Sequence, residues 1–336
     1  MLLYLLDKNF QKIALITQYV SLIWTERYQD AGDFELYIPA DQLGLIEKGM
    51  YLQRVNNDNG CLMCIENVIL TEDEENGDYI TVSGRSSEKI LGERVIWYKT
   101  RTSGNAEMAL YSLFHRNFLA SDVSARNISR FSVAAYKGLT GTIKSEYNGE
   151  SFLETVQAAC IDNGFGFRLI YGSGAFTFEI YKGADRSYSQ NQNDFVVFSP
   201  LFSNLAKSDY TQDTSEVRNV CLTYAESSQS GYGRRYVSVG TASGLDRKEG
   251  FVDCGTDDED TLMQGEANTF LSEHKEIHEF EGEIIPKDGW EEEYGLGDIV
   301  QLENDYGNSA KVRISEIIES DNEEGHTIIP TFEVIS

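Results

Sequence analysis

The chain has 336 residues, 41% of them hydrophobic and 25% charged, with 28 basic against 55 acidic side chains and a formal charge of −27. That length and apolar content suit two or three packed cores and exclude a disordered chain. The acidic excess repels phosphate, so no sequence-specific nucleic acid is expected as a partner.

Nineteen Tyr and seventeen Phe beside 29 Gly favour strands and turns over long helices. Seven short strands are predicted at Leu2–Asp7, Gln11–Thr17, Leu22–Gln29, Asp33–Ile38, Tyr51–Asn56, Leu62–Thr71 and Asp78–Gly84. Turn residues separate them at Asn56–Gly60 and Glu74–Gly77, and a helical turn or two fits Asp41–Gly49. Strands this closely spaced predict a small barrel-like domain over residues 1–86. Its clearest hairpin is Tyr19–Pro39. There Leu22, Trp24, Glu26 and Tyr28, then Phe34, Leu36 and Ile38, recur with period two around Asp30-Ala31-Gly32-Asp33, which predicts one buried face.

Residues 87–194 read as an α+β insert. Ser103 or Asn105 can cap a helix whose apolar residues Met108, Leu110, Tyr111, Phe114 and Leu119 recur at three and four. A second helix starts near Gly149–Ser151, carries Phe152, Val156, Ala159 and Cys160, and ends at Asn163-Gly164. A strand at Thr142–Tyr147 and a hairpin of Gly166–Tyr171 with Ala175–Lys182 complete the insert.

Residues 195–336 form a second predicted barrel-like domain. Its strands are Phe195–Phe198, Leu205–Thr211, Val217–Ala225 and Arg234–Val239, with an exposed loop at Ser227–Gly231, then Glu279–Ile285, Asp298–Glu303, Ala310–Glu319 and His326–Val334. An acidic helix near 257–278 interrupts them, with Leu262, Ala267, Phe270 and Leu271 on its apolar face and an end extending toward Ile277. The expected fold is therefore α+β and β-rich, with two small β-barrel-like domains and inserted α+β segments.

No apolar run approaches the roughly 20 residues that span a bilayer, so no stable membrane insertion is expected. The start MLLYLLDKNFQKIALI lacks a basic leader with a small-residue cleavage site, so no processing is expected there either. Five scattered cysteines, an odd number, argue against a disulfide framework and for synthesis in a reducing cytoplasm. Cys61-Leu62-Met63-Cys64 has the C-x-x-C spacing but no second pair or histidine near it, which favours buried structural thiols.

His274 and His278 stand at i and i+4 on the expected acidic helix near Glu273, Glu276 and Glu279, and are weak metal-ligand candidates. The first histidine is not followed by the glutamate a zinc peptidase uses as base, so a solvated helix end is the stronger reading. Acidic runs at Glu72–Glu75, Asp257–Asp260 and Glu291–Glu293 read as solvated loops and a helix start. Neither Asn56–Gly60 nor Asp253–Asp260 has full calcium-loop spacing. Phosphate-binding loops, a Gly-x-Ser-x-Gly elbow and a dinucleotide fingerprint are all missing. The chain is expected to be non-enzymatic and without a cofactor.

The wording of the hairpin, Trp24-Thr25-Glu26-Arg27-Tyr28-Gln29-Asp30-Ala31-Gly32-Asp33-Phe34-Glu35-Leu36, resembles the opening hairpin of siphophage and prophage tail proteins that act as baseplate hubs, the N-terminal hub module of tail-associated proteins. Three further stretches resemble the same family in the same order: Tyr79–Ser86; Asn204-Leu205 through Tyr210–Asp213 to Val217–Val220; and Tyr294–Val300. The resemblance implies a structural virion protein at the tail tip or baseplate that closes the distal end of a phage, prophage or tailocin tail tube and lines part of the DNA conduit. An acidic wall would help DNA slide through such a conduit.

The resemblance also implies a homotrimeric ring. Its partners would be a distal tail protein, a tape-measure protein and other baseplate or receptor-binding proteins. Receptor binding or lysis is then expected of another polypeptide. Trp24, Tyr28, Phe34 and Tyr37 are the assembly candidates, with ordinary barrel core as an equally strong reading for each. The rival readings are a metal-dependent cell-wall hydrolase built on His274 and His278, and a carbohydrate-binding module using exposed Tyr and Trp.

Overall fold

The structure is a computed structural model that describes all residues except 57–59, 74–76, 227–232, 257–258, 286–293, 307–308 and 336, and all side chains but those of 278–283 and 334 among the rest. It opens with seven strands: β1 (Leu3–Leu6), β2 (Lys12–Ile16), β3 (Ser21–Arg27), β4 (Asp33–Pro39), β5 (Tyr51–Arg54), β6 (Met63–Thr71) and β7 (Tyr79–Ser86). On β3 and β4 the alternation is physical: Leu22, Trp24, Phe34, Leu36 and Ile38 are all buried. Ile80 and Val82 on the neighbouring β7 extend that layer, and Leu3, Leu5, Leu52 and Met63 join it in the first core. Gly84 on β7 faces a bulge in β6 between Ile65 and Asn67, where a Cβ would collide with the Cys64 carbonyl oxygen.

The insert follows with α1 (Lys89–Gly92), β8 (Thr100–Asn105), α2 (Ala106–Phe114), β9 (Phe131–Val133), β10 (Thr142–Tyr147), α3 (Phe152–Asn163), β11 (Gly166–Gly172) and β12 (Ala175–Tyr181). Asn105 caps α2, its side chain accepting from the Met108 amide at 3.0 Å. Ser151 caps α3, which ends on Gly164 in the left-handed region at φ 64°. Phenylalanines fill this core: Phe114 stacks on Phe178 with ring centroids 4.5 Å apart and on Phe118 at 4.7 Å.

The last third comprises β13 (Val197–Phe198), β14 (Leu205–Asp213), β15 (Val220–Glu226), β16 (Arg234–Val239), β17 (Glu249–Asp253), α4 (Asp260–Glu273), β18 (Ile277–Ile284), β19 (Ile299–Glu303), β20 (Ser309–Asn322) and β21 (Gly325–Val334). Phe198, Val300, Leu302, Ile314 and Phe332 form its core. Helix α4 stops at Glu273, short of the expected extent, because the chain turns at His274 and the next residues pair as β18 with β14. The turns expected at Asn56–Gly60 and Glu74–Gly77, the expected loop Ser227–Gly231 and the expected helix start Asp257-Asp258 fall wholly or partly outside the described residues.

The fold is β-rich α+β, as expected. The two strand-rich parts share one 13-stranded sheet, ordered β14-β18-β21-β20-β3-β4-β7-β6-β5-β1-β2, with β13 and β19 branching beside β20. They are joined by β20. Its first residues pair with β19, from Ser309↔Glu303 to Arg313↔Ile299, and its last pair with β3, from Glu316↔Arg27 to Asn322↔Ser21. The change of partner falls at a bulge between Ile314 and Glu316, which bends the strand and increases its twist. Strands β15, β16 and β17 form a separate small sheet backed by α4.

Candidate assembly site

Trp24 lies fully buried on β3, 6.4 Å from Phe34 between ring centroids. The Arg54 guanidinium sits over its face at 5.3 Å and pairs with both Glu26 and Glu319. The indole N–H donates to Glu26 at 3.1 Å. This cluster clamps β3, β5 and β20 together, so the Trp24 ring is used within the subunit.

Tyr28 stands where β20 changes partner, its amide donating to the Ser315 carbonyl at 2.9 Å. Its hydroxyl lies 3.2 Å from the Gly164 carbonyl oxygen and 3.3 Å from that of Tyr181, and its ring meets Tyr181 edge-on at 5.2 Å. Burial pushes its phenol up to about 12. Side chains at Gly166 or Gly297 would run into the ring, which explains glycine at both positions. One tyrosine thus joins the hairpin, the insert and the C-terminal strands.

Of the four assembly candidates, Trp24, Tyr28 and Phe34 are buried in the subunit, and Tyr37 stays half-buried with its ring 5.8 Å from Tyr79. Beside the Tyr28 junction opens a cavity of about 1030 Å³ lined by Arg27, Arg54, Glu88, Arg168, Tyr181 and Glu319, among others. Glu88 faces it with a carboxyl raised by burial, while accepting from the Leu169 amide at 2.7 Å.

His274 and His278 do not share a helical face. His274 ends α4, its Nδ1 2.8 Å from the Phe270 carbonyl oxygen, whereas His278 lies on β18 opposite Gln212. Among the described residues no group of three His, Cys, Asp or Glu is placed to hold a metal ion. The acidic run 291–293 and residues 257–258 lie outside the described residues. Cys64, Cys160 and Cys221 are buried, and Cys61 and Cys254 are half-buried. Of the exposed aromatic residues, Tyr236 lies on the expected strand Arg234–Val239, Phe251 lies on β17, where the sequence shows no strand period, and Trp97 and Tyr98 lie between α1 and β8.

No curated protein matches the chain in sequence. In fold it is similar to the tail protein from Neisseria meningitidis MC58, with TM-score 0.64 at 13% identity over 98% of this chain and 96% of that one. It is also similar to the 43 kDa tail protein of prophage MuSo2 from Shewanella oneidensis, with TM-score 0.61, 13% identity, and 99% and 98% of the two chains covered. Prophage tail protein gp18 from Listeria monocytogenes EGD-e gives TM-score 0.58 at 10% identity, covering 100% of this chain and 95% of that one. The profile of one protein family matches residues 2–332, nearly the whole sequence. The chain belongs to the family of siphovirus ReqiPepy6 Gp37-like proteins, and its fold is that of phage tail proteins.

Proposed function

We propose that this structural tail protein is a baseplate hub: a homotrimeric ring that closes the distal end of a siphophage, prophage or tailocin tail tube and lines part of its DNA conduit. The observation that carries the reading is the family match from residue 2 to residue 332 on a chain with the tail-protein fold. The formal charge of −27 supports the conduit, because a wall that repels phosphate lets DNA slide without sticking.

On this reading a distal tail protein docks above the ring and a tape-measure protein sits within it. Other baseplate or receptor-binding proteins attach below. The protein resides in the virion tail tip after synthesis in the bacterial host cytoplasm. We read it as non-enzymatic, since the family is a structural one.

The test is the native mass of the purified protein over a concentration series, with class averages of large species in the electron microscope. A three-fold ring with a central opening is expected. A strict monomer at high concentration, with no ring on adding the distal tail protein, overturns the reading.

A further inference from the structure

A polar cleft of about 550 Å³ lies on the seam between the first strand-rich part and the insert, and shares no lining residue with the larger cavity beside Tyr28. Asn9, Gln11, Lys12 and Gln53 line it from the β1–β2 turn, β2 and β5, and Arg130 and the turn Gly172–Gly174 line it from the insert. Phe10 fixes the β1–β2 turn at this seam. Its ring lies 4.6 Å from that of Tyr51 and 5.4 Å from those of Tyr171 and Phe176, so it reaches into the core of the insert. The backbone of Phe10 is at φ 66°, a left-handed conformation that a phenylalanine keeps only where packing holds it. Asp7 completes the turn by accepting from the amides of Asn9 and Gln11, each at 2.8 Å, and is not part of the lining.

No Asp or Glu lines the cleft, in a chain with 55 acidic side chains against 28 basic. Lys12 and Arg130 both line it, and neither pairs with a carboxylate among the described residues. Each is held against an aromatic face instead. The Lys12 Nζ sits 3.6 Å over the Tyr4 ring, and the Arg130 guanidinium 5.3 Å over the Phe10 ring while donating to the Asn9 carbonyl at 3.4 Å. Two cations are thus placed in advance without a counter-charge. The side-chain amides of Asn9, Gln11 and Gln53 and the hydroxyl of Ser173 likewise make no hydrogen bond to protein groups among the described residues.

These groups define a ligand. A phosphate monoester carries a charge of about −1.5 to −2 at neutral pH on three acceptor oxygens, enough for the arginine fork and the lysine point charge together, which a single carboxylate is not. Side-chain amides and a hydroxyl both donate and accept, which suits hydroxyl groups on the rest of the molecule. The Phe10 and Tyr171 rings stack on each other, so they leave no open aromatic face for a flat base. The volume falls within the roughly 300–1,000 Å³ of small-molecule sites. We propose that this cleft binds the phosphate monoester of a small sugar or polyol, with Lys12 and Arg130 on the phosphate and Asn9, Gln11, Gln53 and Ser173 on the hydroxyls. Because the two cations come from different parts of the fold, the bound anion ties the β1–β2 turn to the insert. The site goes beyond the hub reading and does not depend on it.

The test is isothermal titration calorimetry of the full chain with glucose 6-phosphate and with sn-glycerol 3-phosphate, against inorganic phosphate, glucose and acetate at equal ionic strength. Saturable binding of at least one ester is expected, with inorganic phosphate weaker and with no binding of glucose or acetate. Lys12→Ala and Arg130→Ala, both at exposed positions, are each expected to weaken the ester roughly tenfold or more. Far-UV circular dichroism melts serve as the folding control, and added salt is expected to weaken binding to the wild type as well. Gln53→Ala is expected to weaken the ester and leave inorganic phosphate unchanged. No binding of either ester at millimolar concentration overturns the proposal, as does equal affinity in the wild type and both cation variants, which places binding elsewhere. Inorganic phosphate bound as tightly as the better ester overturns the sugar or polyol assignment, and acetate bound as tightly overturns the phosphate.

Discussion

Replacing Tyr28 tests whether one side chain couples the hairpin, the insert and the C-terminal strands. An aromatic side chain of this size buries on the order of 200 Å², which at about 25 cal/mol per Å² is about 5 kcal/mol. Because Tyr28 is 1% exposed, Tyr28→Ala is expected to cost about 3–5 kcal/mol. Tyr28→Phe removes only the hydroxyl shared by the Gly164 and Tyr181 carbonyls, and is expected to cost about 1 kcal/mol. Gly297 supplies a sharper test.

A methyl group at Gly297 collides with the Tyr28 ring, and the backbone there sits at φ +85°. Gly297→Ala should therefore be severe in the wild type. In the Tyr28→Ala background the collision is gone, and only the cost of the left-handed backbone, about 1–2 kcal/mol, is left. The assay is urea unfolding followed by far-UV circular dichroism and by the fluorescence of the three tryptophans, among which Trp24 is buried in the adjoining core. With three cores the transition need not be two-state, so midpoints are compared probe by probe. A Tyr28→Ala midpoint within about 1 kcal/mol of wild type, or strict additivity of the two substitutions, refutes the junction argument.

Glu66 forms a forked pair with Arg85, both contacts at 2.9 Å, and this bond holds its carboxyl below the ordinary 4.5 against the opposing effect of burial. Its stabilisation is fully present above the unfolded value and is lost as pH falls through the lower folded value. Glu66→Gln is accordingly expected to cost about 0.5–1 kcal/mol at neutral pH and nothing once the wild-type carboxyl is protonated, and an undiminished difference in acid contradicts the pairing. Burial pushes the Cys64 thiol up to about 12. A variant retaining only Cys64 should therefore react with Ellman's reagent at neutral pH no faster than the protein unfolds, and a burst of labelling in the native state disproves the buried-thiol reading.

The amino-acid sequence by itself determined most of the local structure. Alternation on Leu22, Trp24, Phe34 and Leu36, the caps Asn105 and Ser151, and the stop at Gly164 each depend on neighbours a few residues away, and all appear where those patterns put them. The family resemblance in the hairpin and three later stretches was legible in the same way. A strand as short as β17 was not, because Glu249–Asp253 has too few apolar positions to show a period.

Only the tertiary structure decided what each buried face packs against. Whether Trp24 meets another subunit or its own chain depends on β3 pairing with β20, from Arg27↔Glu316 to Ser21↔Asn322, and no local pattern specifies a register between segments so far apart. The same long-range pairing made His278 part of a strand. Residues 277–284 gain the backbone hydrogen bonds of β14 and β21 by leaving the helix, and that gain exists only once those strands are in place.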